Sequence, residues 1–248
     1  MNISIPKAPW EKNGRMIESL FRKALFDFKL IESDSIAVAL SGGKDSLTLL
    51  FMLAHISGRG FPKLKIHAIH VDGEFSCGAG ININYLKDLC KELDVNLIVC
   101  KSSIKLENLE CYSCSRERRK LIFNEAKKIG ISTVAFGHHR DDNVQTLLLN
   151  LLQKGEFKGM LPKIKMYKFG ITIIRPLIYI KENDIKTFAN FYEFSRIRCN
   201  CPKGSVSNRK VVDNLLNYME EIFPKTRTNL AISAHLYGSD KAAINPEK

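Results

Sequence analysis

Ile36-Ala37-Val38-Ala39-Leu40-Ser41-Gly42-Gly43-Lys44-Asp45-Ser46, running on into Leu47-Thr48-Leu49-Leu50-Phe51, decides the fold. Ile36 to Leu40 is an apolar run of strand length, the paired glycines make a tight turn, and Leu47 to Ser57 has the length and pattern of a helix. A strand that feeds a Gly-rich turn and then a helix aims the first helical amides back at the turn, and such a turn cradles phosphate. Here two glycines permit close backbone approach, Ser41 and Ser46 offer hydroxyl donors, and Lys44 supplies positive charge. The stretch is not a Walker A loop, because that pattern requires Gly at position 38, where this chain has Val38. A helix merely capped after a tight turn is the plainer alternative, and it does not account for the whole Ser41 to Ser46 hexapeptide.

Outward from this stretch, short apolar runs alternate with helical patterns. Strands are expected at Ile66 to Val71, Asn96 to Cys100, Thr133 to Phe136 and Ile171 to Ile174, and helices at Ile83 to Leu93, Ser115 to Ile129 and Asp141 to Leu152. The rhythm predicts an α/β fold, a parallel sheet sandwiched by helices in the Rossmann-like manner, with active groups gathered at the carboxyl ends of the strands. A helix over Arg15 to Phe28, with Met16, Leu20, Phe21, Ala24, Leu25 and Phe28 on one face, precedes it. Three segments follow: an N-terminal helical segment (1–30), the α/β domain (31–180) and a C-terminal helical extension (181–248) with helices at Lys181 to Phe191, Lys210 to Phe223 and Thr226 to Leu236. Residues 1–13 have neither an apolar core nor a small-residue cleavage site, and no apolar run reaches spanning length, so a cytoplasmic chain without a membrane segment is expected.

Two further constellations lie at the ends of expected strands. Gly137-His138-His139-Arg140-Asp141-Asp142 joins a strand to a helix, where carboxylates either answer the helix dipole or hold a metal. Cys111-Tyr112-Ser113-Cys114 opens the next helix, is followed by Arg116, Arg118, Arg119 and Lys120, and is complemented downstream by Cys199-Asn200-Cys201. A helix N-terminus and nearby arginines lower a thiol pKa, so these sulfurs are available as thiolates. By itself a CxxC fits a redox dithiol, half a zinc site, half an iron-sulfur site or two core cysteines. Seven cysteines, an odd number, point away from a disulfide framework.

Ser41 to Ser46 resembles the PP-loop of ATP pyrophosphatases, and the His138 to Asp142 segment resembles that family's nucleotide-facing GHHxDD. With the cysteines, Lys158 to Lys163 (KGMLPK) and Ile174 to Leu177 (IRPL) in the same order, the chain looks like a tRNA 2-thiocytidine synthetase of the TtcA type. The resemblance implies the adenine nucleotide alpha hydrolase type of fold. It also implies ATP-dependent 2-thiolation of the cytidine at position 32 of the anticodon loop, through an adenylylated base, with release of AMP and pyrophosphate. It implies ATP binding by Ala39, Leu40, Ser41 to Ser46, Val71, Gly137 and His138, with Lys44, Asp45, Asp141 and Asp142 as the catalytic set and the three aspartates as Mg²⁺ ligands. A [4Fe-4S] cluster would be held by Cys111, Cys114 and a third cysteine. Cys201, eight residues before Arg209, matches the family spacing better than Cys199, although the segment has one residue fewer between its cysteines and lacks the usual Gly after the second. Cys77, within an idiosyncratic stretch from Gly73 to Gly80, is expected not to ligate.

The 38 Lys plus Arg against 26 Asp plus Glu give a net charge of +12, which suits a polyanionic partner such as tRNA. Arg116, Arg118, Arg119, Lys120, Lys154, Lys158, Lys163, Lys165, Lys168, Arg196, Arg198, Lys203, Arg209 and Lys210 lie near the motifs in sequence and suit RNA phosphates, and about half of them are expected simply to be solvated. The resemblance further implies a sulfide-donor system such as a cysteine desulfurase, and a homodimer. His67 and His70 are expected on opposite faces of one strand, and His55 and His235 are expected to be structural. The rival readings are a tRNA 2-thiouridine synthetase, a lysidine synthetase, which needs no cysteine trio, and a zinc-stabilised RNA-binding module without turnover.

Overall fold

A computed structural model describes residues 5–73, 82–102, 111–194 and 208–240, and the side chains of all of these except 111–113, 239 and 240. Its elements in chain order are α1 (Lys12–Asp27), β1 (Ser35–Ala39), α2 (Lys44–Ile56), β2 (Lys65–Asp72), α3 (Ile83–Glu92), β3 (Asn96–Lys101), α4 (Cys111–Lys128), β4 (Thr133–Ala135), α5 (Arg140–Lys154), β5 (Lys158–Gly159), β6 (Lys163–Met166), β7 (Ile171–Ile174), α6 (Glu182–Phe191), α7 (Asn208–Ile222), α8 (Thr226–Tyr237) and β8 (Ser239–Asp240). The main sheet has the order β3-β2-β1-β4-β7-β6. Its first five strands pair in parallel, as the alternating pattern predicts.

Both faces of the sheet are covered, which is why its strands read as unbroken apolar runs. Ile36, Val38, Ile66 and Ala68 join α1, α2, α3 and α6 in one core, while Ala37, Ala39, Ile69, Val71, Val134 and Ile173 meet Ile122, Phe123 and Ala126 of α4 in another. A third, smaller cluster holds α5, α7 and α8 together through Val144, Leu148, Val212, Leu216 and Ala231. The chain leaves β1 for β2 on one side and reaches β4 on the other, so a crevice opens between the carboxyl ends of β1 and β4.

The structure departs from the sequence expectation in three places. The sheet has a sixth strand, β6, antiparallel to β7 at the edge. Lys163-Ile164-Lys165-Met166 is too short and too charged to stand out in the sequence, yet lysine is a usual residue of a protected edge strand, and Ile164 is buried beneath it. On α1, Met16 is 41 % exposed and Ile17 takes the buried position instead, because the true face runs through Ile17, Phe21, Ala24 and Leu25. Finally, α4 begins at Cys111 rather than Ser115, so the CxxC is the first turn of the helix itself.

Candidate active site

The turn after β1 is tied into one hydrogen-bonded unit. Ser46 donates from Oγ to the Gly43 carbonyl (3.0 Å) while its oxygen accepts from the Gly42 amide (3.1 Å) and lies 3.1 Å from Ser41 Oγ. The Gly43 amide in turn donates to Ser41 Oγ at 3.3 Å. Gly42 has φ 81°, a left-handed conformation that a residue with a Cβ rarely adopts. Gly43 caps α2 without a side-chain partner, which leaves the positive end of that helix facing the crevice.

Across the crevice, the β4–α5 junction comes into direct contact with this unit. A Cβ at Gly137 would lie 3.0 Å from Asp45 C and O and from Ser46 N, so only glycine fits there without displacement. His139 and Asp142 form a capping box at the start of α5: the Asp142 amide donates to His139 Nδ1 (3.3 Å) and the His139 amide donates to Asp142 Oδ2 (3.1 Å). His139 Nε2 is 3.8 Å from Asp45 Oδ1. Burial works against the Asp142 charge, but the adjacent histidine rings, Arg209 with NH1 3.5 Å from Oδ1, and the His139 amide hold its carboxyl below the ordinary range.

A cavity of about 320 Å³ fills the crevice, lined by Ala39, Leu40, Ser41, Asp45, Ser46 and Val71 from the β1 and β2 ends and by Phe136, Gly137, His138 and Asp142 from the β4 end. Its remaining wall is α4, through Ser115, Arg118, Arg119 and Ile122. Among the described residues, the Arg118 NH1 nitrogen is buried there without a hydrogen-bond partner, as is His138 Nδ1. An orphaned guanidinium nitrogen beside a helix N-terminus is a site prepared for an anion, since leaving such a donor unmatched costs about 1–3 kcal/mol. His138 stacks on Phe136 with ring centroids 5.6 Å apart. Burial, reinforced by Arg175, pushes its pKa down to about 3, so the ring is neutral near pH 7.

Among the expected site residues, Ala39, Leu40, Ser41, Asp45, Ser46, Val71, Gly137, His138 and Asp142 come together in this cavity. Gly42, Gly43 and Lys44 are outside its lining. Lys44 instead directs Nζ to Asp45 (2.9 Å) and to Glu182 at the start of α6 (3.2 Å). Burial opposes its charge, and the two carboxylates outweigh burial, so its pKa is raised above the ordinary lysine value. Asp141 is not brought to the cavity. Its Oδ1 accepts from Arg140 (2.8 Å) and its Oδ2 accepts from the Glu182 amide (2.6 Å), which makes it the cap that seats α6.

Cys111 and Cys114 occupy the first turn of α4, one turn before Ser115 and Arg118, while Cys77, Cys199 and Cys201 lie outside the described residues. Among the described residues no three metal-ligating side chains cluster. Cys90 is buried in α3 with its pKa pushed up by burial to about 11, and Cys100 places Sγ 3.4 Å from the His70 carbonyl. Both are structural thiols.

Residues 13–198 match a family described as a PP-loop domain. The chain is 36 % identical over 225 residues to a tRNA-cytidine(32) 2-sulfurtransferase of Syntrophotalea carbinolica, covering 87 % of this chain and 86 % of the relative. The chain belongs to the tRNA 2-thiocytidine synthetase family of PP-loop proteins. A member of that family from Dechloromonas aromatica is 35 % identical, over 88 % of this chain and 79 % of its own length. In three dimensions the chain resembles the U34-tRNA thiolase NcsA from Methanococcus maripaludis with its [4Fe-4S] cluster, at TM-score 0.72 and 22 % identity, covering 89 % of this chain and 77 % of the other.

Sequence reasoning missed the role of Glu182, which has no motif around it, and placed Arg118 and Arg119 in the RNA-facing set although both line the cavity. An i, i+4 reading of α4 from Cys114 to Arg118 offers the only signal that the cation shares a face with the sulfur. Lys163 belongs to neither set: its Nζ is 2.7 Å from Glu32 and donates to the Lys29 carbonyl. Among the described residues no helix is long and apolar enough to cross a membrane. His70, fully buried, meets the Leu40 carbonyl through Nδ1 at 2.8 Å, while His55 and His235 pack against Trp10 and Tyr179 as structural rings.

Proposed function

We propose that this protein replaces the C2 oxygen of a tRNA cytidine, at position 32 of the anticodon loop, with sulfur at the expense of ATP. The observation that carries the reading is that α4, the helix opened by Cys111 and Cys114, forms one wall of the cavity whose opposite wall is the Ser41 to Ser46 turn. Nucleotide activation and sulfur delivery then share one site, and relatives at 33–36 % identity bear the corresponding name.

The C2 oxygen of cytosine is a poor leaving group, so it must first be activated. ATP in the cavity, with its phosphates at Ser41, Ser46 and the start of α2, presents its α-phosphorus to that oxygen; the new O–P bond forms as the bond to pyrophosphate breaks, pyrophosphate departs, and the base is adenylylated. Arg118 with the α2 N-terminus stabilises the charge that develops on the phosphates. Asp45 and Asp142, both at the cavity, would hold Mg²⁺, an ion that takes one or two carboxylates together with phosphate oxygens and would supply positive charge to the triphosphate. Asp141, committed to Arg140 and α6, is left out of this set. Lys44 is drawn to the triphosphate from its resting place between Asp45 and Glu182. A [4Fe-4S] cluster held by Cys111, Cys114 and Cys201 would supply an iron site that carries sulfide. Attack of sulfide at C2 forms the C–S bond and expels AMP. Neutral His138 and the apolar Val71, Ile122 and Phe136 supply a dry wall for the base of the nucleotide. A cysteine desulfurase would supply the sulfide, and a tRNA substrate supports a cytoplasmic location for the reaction.

The test is nucleoside mass spectrometry of unmodified tRNA after anaerobic incubation with cluster-reconstituted protein, ATP, Mg²⁺ and sulfide. Formation of 2-thiocytidine together with pyrophosphate is the expected result. Formation of 2-thiouridine overturns the base assignment, and no thionucleoside from cluster-loaded protein across a range of tRNAs overturns tRNA thiolation. Zinc content with no pyrophosphate release supports the non-catalytic RNA-binding module instead.

A further inference from the structure

Glu182 links Lys44 of the first motif to Asp141 of the second and belongs to neither. Asp141 Oδ2 accepts from the Glu182 amide at 2.6 Å, and just ahead of it the Arg140 amide donates to the Ile180 carbonyl at 3.0 Å. On its other side α6 sinks Ile185, Phe188 and Ala189 into the core that also holds Leu47, Leu50 and Phe51 of α2. The first turn of α6 is therefore fixed against both the β4–α5 junction and α2, which gives the Glu182 carboxylate a set position beside Lys44.

One oxygen of that carboxylate meets two ammonium groups. Oε1 lies 3.2 Å from Lys44 Nζ and 3.1 Å from the Nζ of Lys186, one turn further along α6. Lys44 Nζ also donates to both oxygens of Asp45, at 2.9 and 3.1 Å. Held in this way, Lys44 is outside the cavity lining, whereas Asp45 is part of it. Turning the flexible four-carbon stem carries the charge into the cavity without movement of the backbone.

We propose that Glu182 is a positioning residue of the nucleotide site: it acts through Lys44, competing with the triphosphate for the ammonium group and so setting the affinity for ATP. The inference rests on the reading of the cavity as an ATP site. Three features suit a reversible hold. The Lys44–Glu182 pair is partly solvated, with side chains 20 % and 30 % exposed, so breaking it costs little. Lys186 stays on the same oxygen when Lys44 leaves, so the carboxylate keeps a partner. Glu182 also stands in the first turn of α6, where the helix dipole favours its charge whether or not Lys44 is present. Asp141 thereby gains a reason to stand beside Asp142: without reaching the cavity, it places the carboxylate that restrains Lys44.

The test is isothermal titration of cluster-loaded protein with α,β-methylene ATP and Mg²⁺, without tRNA, so that binding is read apart from turnover. Glu182→Gln is expected to tighten binding about 2- to 5-fold, the release of a partly exposed ion pair. A merely structural role gives the opposite sign, since a lost contact loosens the site. Glu182→Ala is expected to show the same gain, and it covers the case in which the glutamine carbonyl still holds Lys44. In the Lys44→Met background the gain is expected to vanish, because the cation through which Glu182 acts is gone. Affinity that is unchanged or weaker in both Glu182 variants overturns the proposal. A gain of the same size in the Lys44→Met background overturns it as well, by assigning the effect to net charge. Wild-type protein that fails to bind the analogue overturns the ATP reading of the cavity itself.

Discussion

Gly137→Ala puts the geometry of the crevice to a quantitative test. The new Cβ would stand 3.0 Å from the Asp45 carbonyl carbon and oxygen and from the Ser46 amide nitrogen. Non-bonded carbon atoms are comfortable at about 3.5–4.0 Å, so the two loops must part by about 0.5 Å. The obstructing atoms are backbone in the first turn of α2, where no side-chain rotation can relieve the contact. Overpacking of this kind costs about 1–3 kcal/mol, which for a chain of this size lowers Tm by about 2–12 °C. The same displacement moves the nucleotide turn relative to Asp142. A 1 Å misplacement can cost about 100-fold in rate, so half of that should cost about 10-fold in kcat/KM for ATP. Gly155→Ala is the control: with φ +66° and nothing within 4 Å of its Cβ, it should lower stability through backbone strain alone and leave the rate intact. The assay is tRNA-dependent pyrophosphate release alongside calorimetry. Wild-type kcat/KM in Gly137→Ala, or a rate loss equal to that of Gly155→Ala, would refute the claim that this glycine sets the spacing of the two loops.

Asp142→Asn should raise the Mg²⁺ concentration needed for half-maximal pyrophosphate release, whereas Asp141→Asn should lower Tm, by about 1–3 kcal/mol of stability, with the Mg²⁺ requirement unchanged; the reverse pattern would return Asp141 to the metal set. Arg118→Met retains the packed stem and removes the orphaned cation, and should raise the KM for ATP by about 10- to 100-fold, the worth of one or two charged hydrogen bonds, without loss of Tm. An unchanged KM excludes Arg118 from the nucleotide site. His138 is held neutral when folded, with its pKa near 3 against an ordinary 6.5. The unfolded chain therefore binds the extra proton between those values, and the stability present above about pH 6.5 is lost as pH falls toward 3. His138→Asn should flatten the decline of Tm between pH 7 and pH 5, and an unaltered slope would show that the ring is not buried neutral. Cys111→Ala should abolish thiolation and leave ATP binding in place; equal loss of both in a folded variant would end that separation of roles.

Local chemistry made much of this protein legible in one dimension. The Ser41 to Ser46 turn could be read because its requirements, two glycines and two hydroxyls between a strand and a helix, are met within six neighbouring residues. The parallel sheet was legible because burial on both faces leaves its strands uniformly apolar. The CxxC at the head of α4 was legible for the same local reason, as the sulfurs are one turn apart on the chain. What the tertiary structure decided depends on where segments distant in sequence come to rest. Asp141 and Asp142 are neighbours with the same side chain, yet the turn of α5 sends one to the α6 cap and the other to the cavity. Gly137 is required only because α2 begins 3.0 Å from where its Cβ would be. Lys44 finds Glu182 across a separation no motif spans. Arg118 acquires its orphaned nitrogen only when α4 closes the wall of the crevice. A residue type and its spacing state what chemistry a side chain can perform. Which partner it meets is set by the packing of elements across the sheet, a cooperative property of the whole chain.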